Sequence, residues 1–157
     1  MTMTGHNDGD DASTGVSYLE LAEVIMRQGA QPKQDLKELW SRILFNLLVS
    51  NTDDHLRNHG FILVPGKGWK LSQAYDMNPV AHADGLKLNI TDADNALDLE
   101  LAREVAGYFR ISLTDADETI DAYRDIVSQW RAVAAYVGLS ASEQGRMAGA
   151  FRLAEGA

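Results

Sequence analysis

The sequence predicts a mainly α-helical domain into which one β-hairpin is inserted. Apolar residues recur at helical spacing over most of the chain, and the strongest such stretch follows Pro32 and continues to Val49. Helix-start patterns precede several of these stretches. Two short apolar runs on either side of a Pro-Gly-Lys-Gly turn are the exception, and they indicate a hairpin. The predicted fold class rests on these three observations.

The first half of the domain is expected to consist of two helices. Ser17 and Glu20 form a capping-box pattern that starts the first helix, and Gly29 ends it. Pro32 opens the second helix. From Ile43 onward this helix is apolar on nearly all sides, so it is expected to be the central buried helix.

The remaining elements are expected after residue 60. The hairpin is predicted at 61–64 and 69–72, and a short extended piece at 86–90. The last third of the chain is expected to form three helices: one from Asp98 to Phe109, a long one from the Thr114/Asp117 capping box to Val137, and a short one from near Ser140.

The composition describes a folded domain with an excess of negative charge. Of the 157 residues, 45% are hydrophobic, which suits a sizeable core. The net charge is −9, from 14 basic and 23 acidic residues, and the basic residues do not cluster, so no direct contact with nucleic acid is expected. Cysteine is absent, which excludes disulfides and Cys-based zinc sites. Neither a membrane-crossing run nor a signal peptide stands in the sequence, so we expect a cytoplasmic protein without a membrane partner.

Two segments differ in composition. Residues 1–15 are rich in Gly, Asp, Asn, Ser and Thr, which predicts a disordered leader. Residues 16–157 are expected to form a single folded domain.

The candidate functional residues follow the second helix. Asp53 and, five residues later, Asn58 stand in a polar loop, and Asp76 follows the hairpin. Phosphoryl transfer needs a carboxylate for the proton of the attacking hydroxyl and hard oxygen ligands for Mg²⁺. Protein kinases take the base and one ligand from a loop with the order Asp, four residues, Asn, and a second ligand from an Asp beyond a short hairpin. Because the strands of a hairpin run antiparallel, we expect Asp76 to return beside Asn58.

The spacing of Asp53 and Asn58 is a weak signal by itself. A solvated polar loop uses Asp and Asn as caps and turn formers without any catalytic role. Three further features favour the kinase interpretation: the loop leaves the most apolar helix, a hairpin follows at once, and a third oxygen ligand stands at the end of that hairpin.

The runs FNLLVSNTDDHLRNHGFIL and GWKLSQAYDMNP, with the later LNI and DNALDL segments, resemble the C-terminal region of HipA-like serine/threonine kinases over residues 17–152. These are the toxin components of toxin–antitoxin pairs and related stand-alone proteins. The resemblance implies a helical domain like a kinase C-lobe, of the HipA type. It implies that Asp53 is the catalytic base and that Asn58 and Asp76 hold Mg²⁺ for ATP. Gln73 departs from the Pro of many family members, which loosens the approach to the second ligand.

The resemblance also implies roles for two neighbouring residues. His55 occupies the histidine position of the family motif, as a catalytic residue that bonds the transferred phosphate or as one that only orders the loop. Arg57 occupies a basic position, where it binds phosphate, pairs with Asp54 or forms a surface ion pair. Asp54 is expected to be solvated. His59 and His82 have no partner at metal-ligand spacing, so no zinc site is expected.

The Gly-rich loop and the strand lysine that hold ATP in kinases are not recognised in the sequence. In the family these elements lie in a region that would precede Ser17, so we expect a truncated product, one half of a split kinase or an excised domain. Without the lobe that closes over ATP the site stays wet, and the chain alone is expected to be inactive. The expected partners are an antitoxin or a complementing N-terminal kinase half, and a protein substrate.

Two other functions stay open. In one, the chain is a non-catalytic binding module or a remnant that docks an antitoxin or a kinase partner. In the other it is a metal-dependent phosphohydrolase with Asp53 and Asp76 as metal ligands. The joint presence of Asp53, Asn58 and Asp76 favours a retained catalytic site, whereas the unrecognised ATP-gripping elements favour the binding module.

Overall fold

The computed structural model describes residues 3–82 and 84–156, which contain helices and one two-stranded antiparallel sheet. The α-helices are α1 (Tyr18–Gln28), α2 (Pro32–Leu48), α3 (Leu99–Glu104), α4 (Leu113–Ser128), α5 (Trp130–Tyr136), α6 (Ala141–Met147) and α7 (Arg152–Glu155). The strands are β1 (Phe61–Val64) and β2 (Gly68–Leu71). Short 3₁₀ turns occupy Ala12–Thr14, Leu56–Asn58, Val105–Phe109 and Ala148–Phe151. The predicted fold class, mainly α with one hairpin, is confirmed.

Helix α2 lies at the centre of the domain, as its apolar pattern predicts. It starts with Pro32, whose ring is compatible with the first turn of a helix, and its apolar side chains belong to the hydrophobic core. Trp40 is only 1% exposed, and its Nε1 donates a hydrogen bond of 2.8 Å to the carbonyl oxygen of Ala102. Helices α1, α3, α4 and α7 pack on α2. The end of α2 is therefore held firmly, and the candidate catalytic loop begins there.

The hairpin is fixed to both of the first two helices. Strands β1 and β2 pair from Phe61 with Leu71 to Val64 with Gly68. The amide of Ala30, just beyond α1, donates to the carbonyl of Trp69 over 2.6 Å. The amide of Leu71 donates over 2.9 Å to the carboxylate of Asp35, which is buried on α2. These bonds set the position from which the chain continues toward Asp76.

The N-cap of helix α4 is not the residue that the sequence pattern predicts. The cap is Ser112, whose hydroxyl accepts a hydrogen bond of 3.1 Å from the amide of Asp115. The expected capping box was Thr114 with Asp117, two residues later. The pattern Ser-x-x-Asp has the same spacing, so sequence spacing alone does not distinguish the two starts.

The long helix expected up to Val137 is interrupted at Gln129, which separates α4 from α5. The side chains of Ser128 and Gln129 donate to the carbonyl of Asp125, over 2.8 and 3.2 Å. Such local side-chain bonds compete with the backbone ladder of a helix. The final helix does start at Ser140 with a capping box to Glu143, as predicted.

The expected extended piece at 86–90 does not form a strand. Single bridges join Ser17 to Asn89 and Gly85 to Ala96. The apolar side chains of this piece are buried in the core all the same: Leu86, Leu88 and Ile90. The alternation of apolar residues in this segment therefore indicates side chains buried in the core and not a strand of a sheet.

The described part of the predicted leader, residues 3–15, lies against the domain. Asp11 caps the turn Ala12–Thr14, and the amide of Ala12 donates over 2.7 Å to the carbonyl of Lys87. The side chain of Asn89 returns a bond of 3.1 Å to the carbonyl of Ala12. This differs from the disorder that the composition predicts, because composition does not register backbone partners distant in sequence. Among the residues that the structure describes, no helix has the length and apolar content needed to cross a bilayer.

Candidate active site

The candidate catalytic loop begins in a backbone conformation that turns it sharply away from α2. Ser50 has a φ of 50° and is fully buried. The amide of Asn51 donates over 2.8 Å to the carbonyl of Asn46, which ties the start of the loop to the last turns of α2. A non-glycine residue at positive φ is uncommon and needs such support from its surroundings.

Asp53 and Asn58 are held together within this loop. The side chain of Asp53 is exposed, whereas Asn58 is only 5% exposed. The Nδ2 atom of Asn58 donates to the backbone carbonyl of Asp53 over 3.4 Å, and its backbone amide donates to the carbonyl of His55 over 2.8 Å. With its nitrogen engaged in this way, the side chain of Asn58 has its oxygen left to act as a ligand.

The segment of Asp76 returns to this loop after the hairpin. The hydroxyl of Tyr75 donates a hydrogen bond of 2.6 Å to the backbone carbonyl of Arg57. The residue before Asp76 thus contacts the residue before Asn58. Asp76 itself is exposed, has a φ of 58°, and accepts a bond of 2.9 Å from the side chain of Asn78. That Asn58 and Asp76 share one metal ion stays a prediction.

His55 and Arg57 contact each other beside Asp53. The guanidinium of Arg57 lies 3.1 Å from Nε2 of His55, and it also pairs with the carboxylate of Asp8 in the leader. The carboxylate that pairs with Arg57 is therefore that of Asp8 and not that of Asp54. The Nδ1 atom of His55 is buried without a hydrogen-bond partner in the described part of the chain.

A cavity of about 190 Å³ lies next to the candidate base. The loop contributes Asp53, His55, Leu56 and Arg57 to its lining. The leader contributes residues 7–11, and Lys87 completes the lining. Lys87 lies 3.8 Å from the carboxylate of Asp11. Two cationic side chains of this cavity therefore face carboxylates of the leader.

Asp54 was expected to be solvated, and this expectation was wrong. The residue is buried, and its Oδ2 atom accepts from the hydroxyl of Tyr18 at 2.5 Å and from Nδ2 of Asn46 at 2.8 Å. Nε2 of His59 lies 3.0 Å from the same oxygen. Burial by itself raises the pKa of Asp54, but the hydrogen bond and charge of His59 and the bond from Tyr18 bring that pKa below its ordinary value.

The sequence contains a signal for this buried cluster, namely the amide residue Asn46. Asn46 stands among apolar residues of α2, and a buried amide must find partners. It accepts a bond of 3.0 Å from Asn51 and donates to Asp54. Tyr18 is fully buried, and its burial, followed by the neighbouring charge of Asp54, raises the pKa of its hydroxyl well above the ordinary value.

The sequence model of the HipA-like C-terminal domain matches residues 1–131. The chain belongs to the HipA-like C-terminal domain family. Asp53, Asn58 and Asp76 all lie within the matched residues.

Two curated relatives of this HipA-like domain have kinase names. A protein of Haemophilus influenzae named "Putative kinase" is 33% identical over 73 residues, which are 46% of this chain and 21% of that protein. The protein "Putative kinase Y4mE" of Sinorhizobium fredii is 34% identical over 71 residues, 45% of this chain and 17% of that protein. The matched part is therefore about a fifth of the length of either relative.

A solved structure has the same fold as this HipA-like domain. HipA of the Shewanella oneidensis MR-1 toxin–antitoxin system, solved with HipB and its operator DNA, superposes with a TM-score of 0.70 at 19% identity. The match covers 89% of this chain and 34% of the HipA chain. At this identity the likeness establishes the fold alone.

Two side chains of the HipA-like domain carry oxygen atoms of the kind that magnesium prefers. Asn58 offers an amide oxygen and Asp76 an exposed carboxylate, both hard ligands. Among residues 3–82 and 84–156 no group of three or more His, Cys, Asp or Glu is placed to hold a metal. Magnesium does not require such a group, because it keeps several waters and binds through one or two carboxylates together with substrate phosphates.

Proposed function

We propose that this chain supplies the catalytic loop and the magnesium ligands of an ATP-dependent serine/threonine protein kinase of the HipA-like type. One observation carries the proposal: the loop with Asp53 and Asn58 is hydrogen-bonded, through Tyr75, to the segment that brings Asp76 back from the hairpin. Kinases arrange a base and two metal ligands in this chain order. The kinase names of the two curated relatives support the same reaction class.

Each of the three residues has a distinct role in the proposed reaction. Asp53 is exposed, so its carboxylate is accessible to the hydroxyl of a protein substrate and accepts that proton during transfer. Asn58 and Asp76 hold magnesium through their oxygens. Magnesium, when bound with ATP, neutralises the charge that develops on the transferred phosphoryl group.

His55 and Arg57 are proposed to orient the phosphates. Both line the cavity beside Asp53, and guanidinium and imidazole N–H groups are good donors to phosphate oxygens. In the structure Arg57 pairs with Asp8, an exposed contact that contributes little free energy and is therefore easily exchanged for a phosphate.

The chain alone is proposed to transfer phosphate very slowly. Asp53 and Asp76 are both exposed, and water at high dielectric weakens the electrostatic stabilisation of the transition state. The chain spans 34% of the HipA chain that it resembles, which leaves a complementing N-terminal kinase part as the proposed partner. An antitoxin is a second proposed partner, because that HipA was solved with HipB. We propose no contact of this chain with DNA, because its net charge is −9.

Magnesium-dependent nucleotide binding tests the proposal. Titration calorimetry with ATP, in the presence and absence of Mg²⁺, is expected to show binding that requires the metal. Asp76→Ala removes a proposed ligand, so the affinity should fall at least about tenfold, or about 1.4 kcal/mol. The control is Lys67→Ala in the turn of the hairpin, which should bind as the unchanged chain does.

Three results would speak against the kinase role. Nucleotide binding of equal affinity with and without Mg²⁺ would contradict the proposed metal site. Docking of a partner protein with no nucleotide binding at all would favour the binding module. Hydrolysis of a phosphate ester in the absence of ATP would favour the phosphohydrolase.

A further inference from the structure

Two residues of the proposed catalytic loop are joined by a buried side-chain contact. Each of them directly follows a residue with a proposed function. Asp54 follows Asp53, and His59 follows Asn58. Nε2 of His59 lies 3.0 Å from Oδ2 of Asp54, and the two side chains are 3% and 2% exposed for Asp54 and His59 respectively. Because a carboxylate only accepts, Nε2 of His59 is the donor in this bond.

The same oxygen atom is anchored to the core. Tyr18 on α1 and Asn46 on α2 both donate to Oδ2 of Asp54, at 2.5 and 2.8 Å. The ring of Tyr18 also meets the ring of His59 edge to face, with the centroids 5.8 Å apart. Both ends of the loop are thus attached to one atom that two helices hold in place.

This attachment limits the movement of the loop at both functional positions. Since a buried carboxylate that loses a donor is costly, the ends of the loop cannot separate without a penalty. With Asp54 turned into the core, the neighbouring Asp53 side chain stands in solvent. The bond of 3.4 Å from Nδ2 of Asn58 to the carbonyl of Asp53 links the two functional residues directly.

We propose that Asp54 and His59 are positioning residues, and that their contact sets the separation between the base Asp53 and the metal ligand Asn58. This inference rests on the proposed kinase function for its catalytic meaning. We call the contact between these two side chains the loop clasp. The plainer alternative is that the clasp only adds stability to the fold.

Hydrogen exchange of backbone amides, followed by NMR on the whole chain, separates the two possibilities. The reporters are the amide of Asn58, which donates to His55 at 2.8 Å, and the amide of His59, which donates to Leu56 at 3.3 Å. The reference is the amide of Ala30 in the bond to the hairpin. An opening limited to the loop changes the reporters, whereas a general loss of stability changes the reference as well.

His59→Leu removes the donor, and the two reporter amides are expected to exchange at least about tenfold faster relative to Ala30. His59→Gln restores an amide donor and should bring the rates back to within about threefold of the unchanged chain. His6→Leu is the matched control, because His6 also contacts a carboxylate, that of Glu20 at 2.6 Å, outside the loop. It should leave the reporters unchanged.

Two results would overturn the clasp. One is equal acceleration at the reporters and at Ala30 in His59→Leu, and the other is a failure of His59→Gln to restore protection. If His59→Leu does not fold, Asp54→Asn takes its place, since it keeps one oxygen acceptor, replaces the other by an NH2 group and removes the charge. Acceleration of the reporters by about threefold or more is expected there, and no acceleration would likewise overturn the clasp.

Binding of ATP with Mg²⁺ by the same variants separates the clasp from the proposed function. Loosened reporters together with weaker metal-dependent binding in His59→Leu, both restored in His59→Gln, support the clasp in its positioning role. Loosened reporters with unchanged binding overturn that role. The third case is an unchanged chain that binds no ATP, with reporter amides that exchange faster in His59→Leu. This result would refute the kinase function but would still show that the clasp restrains the loop.

Discussion

Asp53 and Asp54 are neighbours in sequence with opposite environments. Asp53 stands in solvent beside a cavity, whereas Asp54 is buried and accepts hydrogen bonds from two helices. An irregular loop has no fixed period of side-chain direction, so two adjacent carboxylates can be divided in this way. The buried one orders the loop, and the exposed one is available for chemistry.

Tyr18→Phe tests how much the buried hydroxyl contributes. Its removal deprives the ionised Asp54 of a donor, and the free energy of unfolding should fall by about 1.5–3 kcal/mol, as for other hydrogen bonds to charged groups. Tyr75→Phe is the matched control, because its hydroxyl also donates one hydrogen bond but stands in solvent. Urea unfolding of the two variants should give a clearly smaller loss for Tyr75→Phe, and equal losses would contradict the importance of burial.

At the scale of elements, the hairpin decides the path of the chain after the candidate catalytic loop. Its second strand is bonded to Ala30 beyond α1 and to Asp35 on α2, so the hairpin cannot turn independently of the helices. Arg42 on α2 continues this attachment, with a bond of 2.5 Å to the carbonyl of Ser72 just beyond β2. The path to Asp76 is thus directed by three contacts with the helices.

Gly68→Ala tests this attachment. Gly68 has a φ of 112°, and a Cβ there would collide with the carbonyl oxygen of Gln28 at the end of α1. Gly66→Ala is the control in the same turn: its φ is 72°, and a Cβ meets nothing within 4 Å. Both changes strain the backbone, by about 1–3 kcal/mol, but only Gly68→Ala should also separate the hairpin from α1. Thermal unfolding should show the larger loss for Gly68→Ala, and a loss no larger than that of Gly66→Ala would count against the attachment.

At the scale of the whole molecule, α2 connects the parts that surround it. Its side chains belong to a core that also contains residues of α1, β2, α3 and α4. A single core of this kind predicts one cooperative unfolding transition for a domain of this size.

Trp40→Phe tests this cooperativity. It removes the bond from Nε1 to the buried carbonyl of Ala102 and leaves a small cavity, so we expect a loss of about 2–3 kcal/mol. Trp130→Phe is the control, because its Nε1 bonds the carboxylate of Glu155 near the surface. Far-UV circular dichroism and the fluorescence of the remaining tryptophans should shift together in Trp40→Phe. Two separate transitions would contradict a single core.

The sequence by itself determined the local elements of this protein. Pro32 marks the start of α2, the capping boxes at Ser17 and Ser140 mark two other helix starts, and the Pro-Gly turn marks the hairpin. The spacing of Asp53 and Asn58 likewise lies within one loop. All of these signals act between residues only a few positions apart, which is why a sequence pattern contains them.

The tertiary structure alone decided which side chains are buried and what they contact. Asp54 bonds Tyr18, which is 36 positions away, and Arg57 pairs with Asp8, which is 49 positions away. The composition of the leader indicated disorder, and the polar loop indicated a solvated Asp54. Contacts between distant segments depend on how the helices pack around α2, and that packing arises from the whole chain rather than from any window of the sequence.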